Sequence, residues 1–174
     1  MQPETLDSYY YLEKKHLLPL HRAISVVIFD NSGKKIMLQK RASGKPTWPL
    51  FWSNTCCTHP FKDEDYITCA KRRLKEEMGF ETPLTEKFRF IYQADYDSVW
   101  GEHEYDVVFE GTYEGEVKAD PQEAADWKWM LVTDLLKDVK INPELYTPWF
   151  KIILERLYGV KDILGPEVRI KHLE

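Results

Sequence analysis

Residues 23–29 (AISVVIF) form an almost unbroken apolar run. A strand with one wetted face would alternate apolar and polar positions, so this run predicts a strand buried on both faces. Asp30-Asn31-Ser32-Gly33 is a turn signal, and Lys35–Lys40 reads as the returning strand of a hairpin. Two prolines stiffen the loop Lys45-Pro46-Thr47-Trp48-Pro49. Trp52–His59 reads as a short strand entering a turn at Pro60. The clearest helix runs from Asp63 to Met78. Ile67, Ala70, Leu74 and Met78 recur at helical spacing as a core stripe. Asp63, Glu64 and Asp65 put negative charge at its start, where the macrodipole favours it, and Gly79 ends it. A helical wheel sets Cys69, Arg73, Glu76 and Glu77 on one polar face beside the stripe. Further strands are predicted at Phe88–Gln93, Glu104–Thr112 and Asp126–Leu131. Thr133 caps a short helix through Val139, and Thr147-Pro148 starts a helix that reaches Tyr158 and is closed by Gly159.

Strands, an inserted helix, more strands and late helices predict one mixed α/β (α+β) domain. Its parts are an N-terminal arm (1–20), the domain proper (21–159) and a patternless tail (160–174).

Composition narrows the function. The 174 residues include six Trp and ten Tyr and are 43% hydrophobic, enough for one core and against overall disorder. The net charge of −5 argues against nucleic acid held by backbone charge, whereas 24 Lys and Arg can still cluster around a small phosphorylated ligand. No run approaches the roughly 18 apolar residues of a membrane span, and Met-Gln-Pro-Glu-Thr has no signal-peptide character. Cys56, Cys57 and Cys69 do not read as a disulfide framework. A cytoplasmic protein with free thiols is expected.

The chemistry begins on the 63–78 helix. Glu76-Glu77 alone reads as solvated charge. With Glu64, Arg72, Leu74, Gly79 and Phe80, however, the spacing resembles the tail of the Nudix box. In that box a loop–helix–loop holds a divalent cation on carboxylates and so binds a diphosphate; hard oxygen ligands suit Mg²⁺. Thr58 stands where the box opens with Gly, and Arg73 where it has Glu. An arginine cannot ligate a metal or act as a base, but it pairs with phosphate. The box therefore looks adapted to gripping a diphosphate rather than cutting it.

Two further pairs stand two residues apart, Cys57 with His59 and Glu102 with Glu104. In a strand each pair shares a face, and His103 turns away. Separately, each pair also has a structural reading, as a small buried thiol beside a turn histidine or as an acidic edge.

Taken with the helix they resemble one family, type I isopentenyl-diphosphate isomerase. The matching strings are His21-Arg22-Ala23, Arg41, Asn54 to Pro60 (NTCCTHP), Arg72-Arg73-Leu74 through Glu77-Met78-Gly79, Trp100-Gly101-Glu102-His103-Glu104, and Thr147-Pro148-Trp149-Phe150. They occur in order over about residues 12–158. The resemblance implies a Nudix-like mixed β-sheet sandwiched between helices. It also implies interconversion of isopentenyl and dimethylallyl diphosphate by moving protons on a five-carbon tail. By resemblance Cys57 and Glu104 transfer the protons, Tyr92 hydrogen-bonds the carboxylate, and Trp149 faces the developing cation. An oriented thiol and carboxylate suit an alkene that is a very weak base. The family's metal set maps to His21, His59, Glu102 and Glu104, with His16 as third histidine at a shorter spacing than the family pattern. That site takes Mn²⁺, Zn²⁺ or Mg²⁺. Arg41, Lys45 and Arg73, with Lys14 or Lys15, match the diphosphate-binding set. The resemblance also implies a Mg²⁺ with the diphosphate, on Glu77 and a main-chain carbonyl near Cys57. His103 and His172 read as structural, and Cys56 and Cys69 as packing residues. The expected partner is a small prenyl diphosphate, with neither nucleic acid nor membrane, and the chain is expected to be a monomer or weak dimer. The alternatives are a Nudix hydrolase of a nucleoside diphosphate, which would want a carboxylate at Arg73, and a non-catalytic diphosphate-binding module.

Overall fold

The apolar run becomes strand β1 (His21–Phe29), at the middle of the sheet. The computed structural model describes residues 18–171, so His16, Lys14, Lys15, His172 and most of the N-terminal arm lie outside the described residues. The strands that follow are β2 (Lys35–Arg41), β3 (Trp52–Ser53) and β4 (Cys56–Thr58). Helix α1 (Tyr66–Met78) precedes β5 (Thr85–Asp95), β6 (Gly101–Thr112) and β7 (Ala124–Leu131). Helix α2 (Val132–Ile141), a 3-10 turn at Pro143–Leu145, helix α3 (Pro148–Tyr158) and β8 (Val168–Lys171) complete the order.

The strands lie in the order β3-β2-β1-β6-β5-β8, with β4 added beside β1 and β7 beside β2. β1 and β6 run parallel, from His21 opposite Glu104 to Phe29 opposite Thr112. Alternate residues of β1 feed two cores, which explains the missing polar alternation. Val27 and Phe29 face Leu135, Val139, Phe150 and Ile153 of the α2–α3 side. Ile24, Val26 and Ile28 face Cys69, Ala70, Leu74 and Met78 of α1. The sheet is thus sandwiched between helices in a single α+β domain.

The predicted strand at 52–59 is two strands on two neighbours. β1 and β2 pair at Phe29 opposite Ile36 and then diverge. β3 continues against β2, whereas β4 pairs with β1. Asn54 and Thr55 fill the gap with side-chain hydrogen bonds. Asn54 Nδ2 donates to the carbonyls of Val26 (3.1 Å) and Cys56 (2.7 Å). Thr55 Oγ1 donates to the Met37 carbonyl (2.8 Å) and accepts from the Ile28 amide (3.0 Å). These bonds replace the ladder that two diverging strands cannot make.

Other boundaries move for local reasons. α1 starts at Tyr66, because Asp65 is extended and its side chain accepts from the Thr68 amide (2.9 Å); Asp63 and Glu64 precede the helix rather than charging its first turn. Cys69 and Glu77, placed on a polar face by the wheel, are both buried. α2 begins at Val132, so Thr133 lies inside it and no side chain caps it. Thr147 does stand at the start of α3, but it makes no side-chain cap bond and its hydroxyl meets Ser53 Oγ instead (2.9 Å). The tail that carried no pattern supplies β8, paired antiparallel to β5.

Candidate active site

Strand register assembles the site. The parallel pairing of β1 and β6 sets His21 beside Glu104. Strand alternation puts Glu102 on the same face as Glu104 and turns His103 away, where its Nδ1 bonds the Leu18 carbonyl (2.8 Å). β4 places Cys57 opposite Ser25, and His59 follows two residues on. One ligand atom from each of His21, His59, Glu102 and Glu104 lies within 4.8 Å of the others. His21 Nδ1 donates to the Pro19 carbonyl (3.0 Å), which directs its Nε2 inward to 3.2 Å from His59 Nε2. His59 Nε2 lies 2.8 Å from Glu104 Oε1, and His21 Nε2 lies 3.6 Å from Glu102 Oε2.

The charges follow from these contacts. Burial pulls His21 down, but Glu102 and Glu104 outweigh it and raise its pKa to about 10. Burial pushes Glu104 up, but His21 and His59 prevail and hold its carboxyl well below the usual range. Glu102 Oε1 accepts from Thr47 Oγ1 (2.9 Å). Its Oε2 is buried without a hydrogen-bond partner among the described residues. Two imidazole nitrogens, two carboxylates and an orphaned inward oxygen fit a divalent cation.

Glu104 Oε2 accepts from the hydroxyl of Tyr92 (2.7 Å), its direct neighbour on β5. Burial, with Glu104 alongside, pushes the Tyr92 hydroxyl well up, so it remains a donor. Burial likewise raises the Cys57 thiol to about 12, against the pull of Arg41, whose Nη1 is 3.7 Å from Sγ. Trp149 donates its indole N–H to Ser53 Oγ (3.0 Å). The Arg41 guanidinium lies over its ring, 5.1 Å from the centroid, and Trp48 packs edge-on at 5.5 Å.

Cys57, Glu104 and Trp149 open onto one cavity of about 290 Å³. Arg41, Lys45 and Arg73 line the same space. Arg41 is buried, and its Nε and Nη2 donate to the carbonyls of Thr47 and Trp48 at 2.8–3.2 Å. Those carbonyls belong to a strained loop, with Trp48 and Leu50 at φ +44° and +63°. Glu77 stands outside the four-residue cluster, with Oε2 accepting from Gln39 Nε2 (2.9 Å) and Oε1 from Arg73 Nη2 (2.8 Å).

Sequence reasoning missed Glu123, Thr47 and Ser53. Glu123 lines the cavity and pairs with both Lys45 and Arg73. Its surroundings, Asp120-Pro121-Gln122-Glu123, read as an ordinary acidic turn, and no fixed spacing ties it to the helix.

The NUDIX domain family model matches residues 19–150. The Isopentenyl-diphosphate Delta-isomerase 2 of Aromatoleum aromaticum is 44% identical over 146 residues, covering 84% of this chain and 77% of the relative. The Isopentenyl-diphosphate Delta-isomerase of Serratia proteamaculans is 40% identical over 138 residues, covering 79% and 76%. Among solved structures, DR0079 from Deinococcus radiodurans superposes with a TM-score of 0.67 at 15% identity, covering 84% of this chain and 86% of that one, a likeness of fold.

Proposed function

Since the chain belongs to the isopentenyl-diphosphate Delta-isomerase family of NUDIX-domain proteins, we infer that it moves the double bond of isopentenyl diphosphate by one carbon to give dimethylallyl diphosphate. The diphosphate stays intact. A proton is added to the terminal alkene carbon, a tertiary cation-like centre develops next to it, and a proton leaves the carbon on the other side. Cys57 and Glu104 carry these transfers. One group must arrive with a proton and the other without. The thiol, kept protonated by burial, and the carboxylate, kept ionised by His21 and His59, are one of each. After turnover the pair is reversed, with the donor deprotonated and the acceptor protonated, and one proton passing between them restores the starting state.

Trp149 offers its ring to the cationic centre, an attraction of about 2 kcal/mol or more when desolvated. Tyr92 fixes one oxygen of Glu104, leaving the other for the histidine side of the site. Arg41, Lys45 and Arg73 bind the diphosphate, and Glu77 would hold the Mg²⁺ that accompanies it, neutralising part of its charge. His21, His59, Glu102 and Glu104 would hold one Zn²⁺, Mn²⁺ or Mg²⁺. When bound, this ion supplies a fixed positive charge that orients Glu104 and tunes its basicity. The enzyme acts in the cytoplasm on a small substrate, as a monomer or weak dimer, without nucleic acid or membrane.

The observation supporting this reading most is the convergence of Cys57, Glu104 and Trp149 on one cavity, with Tyr92 behind Glu104. Proton NMR of isopentenyl diphosphate with the protein, Mg²⁺ and trace Mn²⁺ or Zn²⁺ in D₂O tests it. Deuterated dimethylallyl diphosphate with unchanged phosphorus resonances is expected; hydrolysis, or no change, would overturn the reading. Cys57→Ala and Glu104→Gln should each abolish isomerisation while retaining most diphosphate binding.

A further inference from the structure

Two of the three cations assigned to the diphosphate are already occupied, and by the same carboxylate. Glu123 Oε2 accepts from Lys45 Nζ, and Glu123 Oε1 lies 3.0 Å from Arg73 Nη2. Arg73 is satisfied on its other sides as well. Its Nε and Nη2 donate to Glu77 Oε1 (3.2 and 2.8 Å), and its Nη1 donates to Glu76 Oε2 (2.8 Å). The arrangement is anchored through the backbone. The Asp120 amide donates to the Glu77 carbonyl (2.8 Å), the Glu123 amide to the Asp120 carbonyl (3.0 Å), and the Ala42 amide to the Glu123 carbonyl (3.0 Å). Glu123 therefore joins three segments, the 42–50 loop, α1 and the 120–124 turn. Burial raises its carboxyl, but Lys45 and Arg73 outweigh this and lower it, so it is an anion.

Resting on the isomerase reading, we propose that Glu123 is a specificity-determining residue. Its carboxylate stands in for the diphosphate between Lys45 and Arg73 until a metal-complexed diphosphate displaces it. The charges explain the selectivity. In the resting site Lys45 is paired with Glu123, and Arg73 with Glu76, Glu77 and Glu123. A bare diphosphate must break the Glu123 pairs and leave that carboxylate beside its own negative oxygens. A diphosphate carrying a divalent cation brings the compensating charge with it. Glu123 thereby makes binding conditional on the cation and keeps bare anions from holding Lys45 and Arg73.

The test is calorimetric titration of wild type and Glu123→Gln with inorganic pyrophosphate, with and without Mg²⁺. In wild type, Mg²⁺ should strengthen binding markedly. In Glu123→Gln, metal-free pyrophosphate should bind on the order of tenfold more tightly, as for removing one charged competitor, and the advantage given by Mg²⁺ should shrink accordingly. Glu123→Asp keeps the charge and should restore part of the discrimination; it also serves if the Gln variant does not fold. Metal-free binding that is unchanged or weaker in Glu123→Gln, with discrimination intact, would reduce Glu123 to a brace and overturn the proposal. The readout needs no turnover. Failure of wild type to isomerise isopentenyl diphosphate, assayed alongside, would instead overturn the isomerase reading.

Discussion

Ser53 carries no chemistry of its own, yet it sets the indole of Trp149 by accepting its N–H, while Thr147 and Asn54 hold the serine hydroxyl. Ser53→Ala leaves a buried N–H unpaired. It should cost about 1–3 kcal/mol of stability and lower kcat more than it raises KM, because the ring matters most when the cation forms; steady-state kinetics beside thermal melts would check this. His21 gives a pH prediction for chelator-treated protein. Its pKa rises on folding to about 10, so the folded state holds the proton more tightly. That contribution is complete below the ordinary imidazole value near 6.5 and is lost as pH climbs towards 10. Melts of the metal-free protein should fall across that window. At this scale, legibility followed sequence distance. Cys57 with His59 and Glu102 with Glu104 were visible because a strand aligns residues two apart. Thr47 with Glu102, Glu123 with Lys45 and Trp149 with Ser53 lie 55, 78 and 96 residues apart, joined by the packing of loops and a helix against the sheet, which no local pattern encodes.

Helix α1 was legible as an element because its apolar stripe and its stop are local. Gly79 adopts φ +80°, and a Cβ there would meet the Lys118 carbonyl oxygen at 2.6 Å. Gly79→Ala should therefore lose at least about 1–2 kcal/mol from the left-handed backbone alone, read as a shifted denaturation midpoint with unchanged slope. A changed slope would instead point to an altered compactness of the unfolded or folded state. The division of residues 52–59 was not legible, since it depends on β1 and β2 diverging. The polar pair Asn54-Thr55 signals it only once their backbone partners on Val26 and Met37 are known. β8 escaped notice because four residues with two apolar positions make too short a pattern to separate from a tail.

Across the molecule, a sheet between two helical layers places the reactive groups where β1, β4 and β6 meet the 42–50 loop. The fold class was readable from element order and the unbroken β1 run, but the parallel pairing of β1 with β6, which brings His21 to Glu104, was not. β8 has a consequence away from catalysis. It covers one side of β5, from Ile91 opposite Lys171 to Ala94 opposite Val168, while Val160 and Ile163 seal the core beneath. A chain ended at Gly159 would bare the amide ladder of β5 and invite pairing with a strand of another copy. Light scattering during a slow heating ramp should then show self-association of the shortened chain at temperatures where the full one stays dispersed. The last strand would thus act as a guard against polymerisation.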